Sequence, residues 1–136
     1  MEMEEERVFT VPTVTVNEDF VSVFSESNYS TSVRGGMLLT DRIDAQNLRL
    51  RESSPGYFAD FHVAGDPTLI TIQQGILQIS LRDGSSKNFG PGESFIASDF
   101  LPDGLEFDST KHGHSAAVLG DQVLRAIHVK LATRPN

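Results

Sequence analysis

The sequence contains no cysteine and no tryptophan. Without cysteine the chain can form no disulfide bond, no thiolate zinc site and no cysteine nucleophile, so these three classes of site are excluded. Its aromatic side chains come mainly from 9 phenylalanines, accompanied by 2 tyrosines. Most of the aromatic bulk is therefore apolar and suited to a protein interior.

Positive charge is also scarce, because 11 Lys and Arg residues stand against 19 Asp and Glu residues, a formal net charge of -8. A polyanion such as DNA would be repelled by that field, so no nucleic-acid partner is expected. No apolar run approaches the roughly 20 residues needed to span a bilayer. The acidic segment MEMEEER resembles neither a secretory signal nor a transit peptide. We therefore expect a cytoplasmic protein with no membrane partner.

Short β-type segments separated by turn signals run through the chain. The turn signals include Gly65-Asp66-Pro67, Asp83-Gly84 and Gly90-Pro91-Gly92-Glu93. Their spacing, at about 8–12 residues, is typical of an all-β sandwich or barrel, and no segment has a convincing helical period. A length of 136 residues corresponds to a single domain.

Two histidines occupy comparable places in two separate motifs. His62 lies in a segment that Gly56 opens and Gly75 closes, and His114 follows Gly113 in the second motif. The turn Gly90-Pro91-Gly92-Glu93 lies between the two motifs. Histidines at strand ends that are distant in sequence are a way for a small β-barrel to build a polar pocket.

This pattern resembles the cupin superfamily, and the resemblance covers roughly residues 45–132. It implies an all-β, cupin-type jelly-roll β-barrel made by residues 45–132 within one domain. Residues 1–44 would form an acidic tail and strands used in packing or dimerisation. Small cupins commonly pair through N-terminal strands, and an exposed strand at residues 8–16 would otherwise favour aggregation, so we expect a homodimer.

The metal-binding motif of the family is degenerate in this sequence. In metal-binding cupins two histidines and a glutamate of the first motif join the histidine of the second, but Ala64 and Thr68 occupy two of these positions here. The remaining pair, His62 and His114, would hold a divalent ion weakly, because a catalytic metal usually needs three protein ligands. The favoured prediction is therefore no cofactor. The alternative is Fe, Mn, Ni or Zn on His62 and His114, with Asp60 completing a two-histidine, one-carboxylate set.

The predicted catalytic residues are His62, His114 and Asp60. Asp60 is included because it has the same strand parity as His62 and could point into the barrel, and the alternative is an outward carboxylate without a function. The predicted substrate-binding residues are Phe58, Thr68, Ile70, Ile72, His112 and His128. For His112 the alternative is a solvated loop, and for His128 an outward position on the last strand.

Three functions agree with these residues. The first is a metal-independent enzyme whose histidines move protons in the isomerisation, cyclisation or elimination of a hydrophobic metabolite. The second is a metal-dependent dioxygenase with the rearranged ligand set. The third is a non-catalytic module that binds a small ligand. The fold does not choose among them.

Overall fold

A computed structural model describes residues 7–135, which form eleven β-strands and no helix. The strands are β1 (Val8–Val16), β2 (Ser22–Arg34), β3 (Met37–Thr40), β4 (Ala45–Ser53), β5 (Phe58–His62), β6 (Thr68–Gln74), β7 (Ile76–Ser80), β8 (Ser86–Phe89), β9 (Ser94–Ala97), β10 (His114–Leu119) and β11 (Leu124–Leu131). The all-β prediction is confirmed. Within the described part of the chain, no helix is long and apolar enough to cross a membrane.

The strands form two sheets whose order is that of a jelly roll. The larger sheet has the order β3-β2-β1-β9-β6-β11-β4, and the smaller has the order β5-β10-β7-β8. From β4 to β11 the chain crosses repeatedly between the two sheets, with only β7 and β8 following each other in the same sheet, as in the double Greek-key arrangement of a jelly roll. Within residues 7–135 no strand pairing joins the sheets, so the barrel stays open at its edges.

The first three strands extend the larger sheet instead of standing apart from it. β1 pairs with β2 along its whole length and, in parallel, with β9 through Thr13 and Val14. β1 is therefore an interior strand, and the expectation that it is exposed is corrected. Pro12 precedes the short ladder with β9, so its missing N–H interrupts none of those pairs. The homodimer stays a prediction, as does the use of residues 1–44 in dimerisation.

Apolar side chains fill most of the space between the two sheets. Val14, Ile72, Leu77 and Leu124 are each 1% exposed or less. The rings of Phe89 and Phe95 stack with centroids 4.4 Å apart. Burial of such side chains contributes roughly 1.5–3 kcal/mol each, and this is what holds the sheets together.

Candidate functional site

A cavity of about 230 Å³ opens between the two sheets, beyond the end of the apolar core. Its polar lining consists of Arg51, Tyr57, His62, Thr68, His114 and His128. Its apolar wall includes Ala59, Ile70, Ile79, Phe95, Ala97 and Ala116. A small apolar space with a few convergent polar groups is the usual form of a small-molecule site.

The structure brings His62 and His114 together. His62 ends β5 and His114 begins β10, and the two residues are direct partners in the antiparallel ladder. Their ring centroids lie 4.6 Å apart with an interplanar angle of 54°. The two histidines thus form one site although they are distant in sequence.

A close main-chain approach at Gly113 sets this spacing. A Cβ atom on Gly113 would lie 2.7 Å from the backbone N and O of His62 and 2.8 Å from its C. Gly113 also has a φ of 88°, in the left-handed region that favours glycine. Only glycine therefore lets β10 begin directly against the end of β5.

A buried carboxylate orients His114. Asp99 is 0% exposed, and its Oδ2 lies 2.7 Å from Nδ1 of His114. Oδ2 also accepts a hydrogen bond from the Ser22 hydroxyl (2.6 Å), and Oδ1 accepts one from the backbone N–H of Ala64 (2.9 Å). Three donors satisfy the buried carboxylate, which would otherwise be costly to bury.

Sequence reasoning missed Asp99. The available signal was an acidic residue directly after the apolar strand β9, in the run Ser94 to Phe100. A carboxylate that continues a buried strand needs partners, and a histidine is the natural one.

The ring of His62 is held by the main chain. Its Nδ1 lies 2.7 Å from the carbonyl oxygen of Asp60, and a carbonyl can only accept, so Nδ1 carries the proton. The same logic places a proton on Nδ1 of His114 when Asp99 is ionised. Both rings therefore keep Nε2 for a molecule in the cavity.

Asp60, a predicted catalytic residue, and Phe58, a predicted substrate-binding residue, lie outside the lining of this cavity. Between the pairs Ala116–Ala59 and His114–His62 the ladder advances two residues on β10 and three on β5, which is a β-bulge. The extra residue breaks the alternation, so Ala59 and His62 both line the cavity. Asp60 is exposed, and its Oδ1 accepts the backbone N–H of Phe61 at 2.8 Å. Phe58 is 62% exposed.

Two of the three predicted residues on β6 line the cavity. Thr68 and Ile70 are part of its wall, whereas Ile72, on the same face of the strand, is buried in the core beyond it. Ile72, also predicted to bind substrate, thus occupies a core position outside the cavity lining.

His112, a predicted substrate-binding residue, is buried and lies outside the lining of the cavity. Its Nδ1 accepts the backbone N–H of Asp108 at 2.9 Å, and its carbonyl oxygen accepts two hydrogen bonds from Arg82 at 3.2 and 2.9 Å. His112 braces the loop that leads into β10. The alternative of a solvated loop position is excluded, because the residue is 2% exposed.

His128 faces the cavity beside two residues that sequence reasoning did not single out, Arg51 and Tyr57. Nη1 of Arg51 lies 3.5 Å from Nε2 of His128, and its guanidinium lies 5.2 Å from the Tyr57 ring centroid. Burial lowers the pKa of His128, and the positive charges of Arg51 and then Arg49 lower it further. The alternation in β4 predicts a strand but does not show which face points inward, so it does not identify Arg51.

Comparisons with known proteins concern the fold alone. No family model matches the chain, and no curated protein is similar to it in sequence. Among solved structures, the polyketide cyclase RemF from Streptomyces resistomycificus is 20% identical with a TM-score of 0.47, over 81% of this chain and 68% of that one. A cupin 2 conserved barrel domain protein from Rhodopseudomonas palustris is 12% identical with a TM-score of 0.45, over 95% and 74% of the two chains. The Cnp3 cupin domain of Schizosaccharomyces pombe is 12% identical with a TM-score of 0.47, over 96% and 86%.

The jelly-roll order of the two sheets agrees with the resemblance found in the sequence. The chain has a cupin-type fold. Its cavity lies between the two sheets, and both motif histidines line it.

The metal site of metal-binding cupins does not fit the residues of this cavity. Within residues 7–135, no group of three or more His, Asp or Glu side chains is arranged to hold a metal ion. The rearranged set fails because Asp60 faces away from His62, and the third cavity histidine, His128, lies beside the positive charge of Arg51. Two imidazoles alone do not fix the geometry of a catalytic metal.

Proposed function

We propose that this protein is a small-molecule enzyme that transfers protons without a metal ion. His114 acts as the general base, Asp99 orients it, and His62 handles the second proton. The observation that carries the proposal is the buried Asp99–His114 pair, at 2.7 Å, directly beside the ring of His62 in an apolar cavity.

Asp99 gives His114 the properties of a base. By accepting the proton of Nδ1, the carboxylate fixes the tautomer in which Nε2 has a lone pair directed away from it. Once Nε2 takes a proton, the negative charge of Asp99 stabilises the imidazolium that forms. This arrangement is the same as that of the aspartate and histidine in hydrolytic triads, without a nucleophile.

His62 completes a pair in which one ring accepts a proton and the other returns one. Its Nδ1–H is bound to a neutral carbonyl, so a positive charge on His62 has less support than one on His114. In the step proposed, Nε2 of His114 removes a proton from a carbon next to a carbonyl, and the C–H electrons form an enolate. Return of that proton from Nε2 of His114 to another carbon completes an isomerisation. An elimination is completed when the leaving group departs with a proton from Nε2 of His62, which must enter this step as the imidazolium with a proton on each nitrogen.

The apolar wall supplies positioning. Ile70, Ile79 and Phe95 surround the cavity next to the histidines and would hold an apolar substrate body against them. A cyclisation needs the same two contributions, a folded substrate and a proton acceptor. The wall therefore favours a substrate with an apolar body.

Proton exchange tests the proposal without knowledge of the natural substrate. A panel of small aryl and alkyl ketones in D₂O would be followed by NMR for enzyme-dependent loss of the α-proton signal. We expect exchange with the wild-type protein and a fall on the order of 10²- to 10⁴-fold in His114→Gln, which is the usual contribution of a general base.

Asp99→Asn and Asp60→Asn form a matched pair, because both exchange a carboxylate for an amide. Asp99→Asn should reduce exchange strongly, whereas Asp60→Asn should leave it unchanged, since Asp60 lies outside the cavity. Exchange that survives in a folded His62→Gln/His114→Gln protein would overturn the proposal. A melting shift with ligands but no exchange in any case would instead indicate a non-catalytic binding protein.

A further inference from the structure

We infer that the cavity binds the carboxylate of its ligand through Arg51 and His128. The inference rests on the proposed function, because it names the charged group of the same substrate. The expected substrate is then a carboxylic acid with a compact apolar body and not a purely hydrophobic metabolite.

The charge of the cavity is opposite to that of the chain. Acidic residues outnumber Lys and Arg by 19 to 11 in the sequence, yet no acidic residue lines this cavity. The titratable side chains in its lining are one arginine, three histidines and one tyrosine. The nearby Asp99 lies behind His114, fully buried and hydrogen-bonded. A negative ligand would therefore meet only cationic or neutral groups.

Arg51 lacks the acidic partner that a partly buried guanidinium normally has. Its Nε donates to the hydroxyl of Ser53 at 2.9 Å, and within residues 7–135 no carboxylate forms an ion pair with it. Its burial class is intermediate, and burial lowers its pKa. A partly desolvated positive charge is a strong site for an anion, because guanidinium binds a carboxylate through two parallel hydrogen bonds.

His128 adds a second donor at the same place. It is the register partner of Arg49 on β4 and of Ile70 on β6, so its side chain lies between the arginine strand and the apolar wall. Its Nε2 lies 3.5 Å from Arg51, a distance too long for a strong hydrogen bond. A carboxylate between the two groups would accept a hydrogen bond from the guanidinium and, with the His128 proton on Nε2, a second one from His128.

The geometry favours a carboxylate over a phosphate. One guanidinium and one histidine match a single negative charge, whereas a phosphate carries up to two. Lys130, which lies in the adjoining groove, is already paired with Asp66 at 2.6 Å. With its carboxylate on Arg51, a ligand would place its apolar body on Ile70 and its reacting carbon toward His62.

Calorimetric titration with three probes tests the assignment: benzoate, its neutral isostere benzamide, and inorganic phosphate. We expect benzoate to bind more tightly than either of the others. In Arg51→Gln its affinity should fall on the order of 10- to 100-fold, as for loss of a charge-assisted hydrogen bond. His128→Gln should weaken benzoate binding by a smaller factor.

Arg125→Gln is the matched control, because Arg125 is exposed, lies outside the cavity and forms an ion pair with Glu52 at 3.7 Å. It should leave benzoate binding unchanged. Arg51→Lys keeps the charge but not the forked geometry, and it should give an intermediate affinity. Thermal melting of each variant reports whether it is folded.

Three results would overturn the inference: no benzoate binding to the wild-type protein at millimolar concentration, equal binding of benzamide, or an unchanged affinity in folded Arg51→Gln. If phosphate bound more tightly than benzoate, the assignment of a carboxylate as the ligand's anionic group would be wrong, and a phosphate would replace it. Binding is read without turnover, so the two proposals fail separately. Benzoate binding through Arg51 with no proton exchange contradicts the enzyme alone, and exchange without charge preference contradicts the carboxylate alone.

Discussion

The two ends of the space between the sheets are built by the same strands, yet one is packed and the other is open. At the packed end β6, β10 and β11 contribute Ile72, Val118 and Leu124, which are buried in the core. At the open end the same three strands contribute Thr68, His114 and His128, which line the cavity. Strand parity is therefore equal at both ends. The jelly roll supplies two ends, and the identity of the side chains decides which becomes a site.

The difference is also one of energetics. The packed end buries hydrocarbon and gains free energy with each side chain. The open end holds a buried carboxylate, a partly buried guanidinium and three histidines, whose polar atoms need specific hydrogen bonds to offset their partial loss of hydration. The packed end thus contributes most of the stability. The proposed ligand binding and proton transfer take place at the open end, where the apolar packing is incomplete.

The largest expected effect comes from the matched pair Ile72→Ala and Ile70→Ala. Both residues point inward from β6 and belong to the same apolar core, but Ile72 is 1% exposed, whereas Ile70 is 7% exposed and also borders the cavity. We expect Ile72→Ala to lower the free energy of unfolding by about 4–5 kcal/mol and Ile70→Ala by about 2–3 kcal/mol, because Ile70→Ala partly enlarges a cavity that already exists. Urea unfolding measures both. Equal losses would remove the distinction between the two ends.

Gly113→Ala should affect both stability and the site. The new Cβ would meet the backbone of His62, and a φ of 88° costs an L-residue about 1–2 kcal/mol. Gly104→Ala is the control, since it has the same φ of 88° and open space around it. We expect a greater loss of unfolding free energy in Gly113→Ala, together with reduced proton exchange. Identical behaviour of the two variants would show that the contact with His62 is unimportant.

The smallest effect concerns pH. Burial, then Arg51 and Arg49, hold the pKa of His128 below its ordinary value. Because the folded-state pKa is the lower one, the related stability is fully present above the unfolded pKa. It is lost as pH falls through the folded pKa. NMR titration of His128 should show this low pKa, and Arg51→Gln should raise it only in part, since burial is the first cause. A ring that titrates normally in the wild-type protein would contradict this.

The fold and the central pair of histidines could be predicted from the sequence, since turn signals and motif spacing are local patterns. Asp60 could not be placed, because the bulge before His62 depends on the register with β10 rather than on the β5 sequence. Arg51 could not be placed either. On its strand the usual pattern is inverted, and Leu48 and Leu50 are 59% and 77% exposed while Arg51 turns inward. Alternation identifies a strand but not the face that meets the core.

The contact between Gly113 and His62 has a practical consequence for redesign. Main-chain contact fixes the distance between the two imidazoles, whereas the shape of the chamber is set by side chains on β6, β7, β9 and β10. Mutagenesis of these side chains can therefore change the shape of the cavity for a different ligand without changing the distance between His62 and His114. Ligand selectivity and the histidine pair therefore depend on different parts of the fold. A library of variants confined to Ile70, Ile79 and Ala116 would change the selectivity and leave the histidine pair intact.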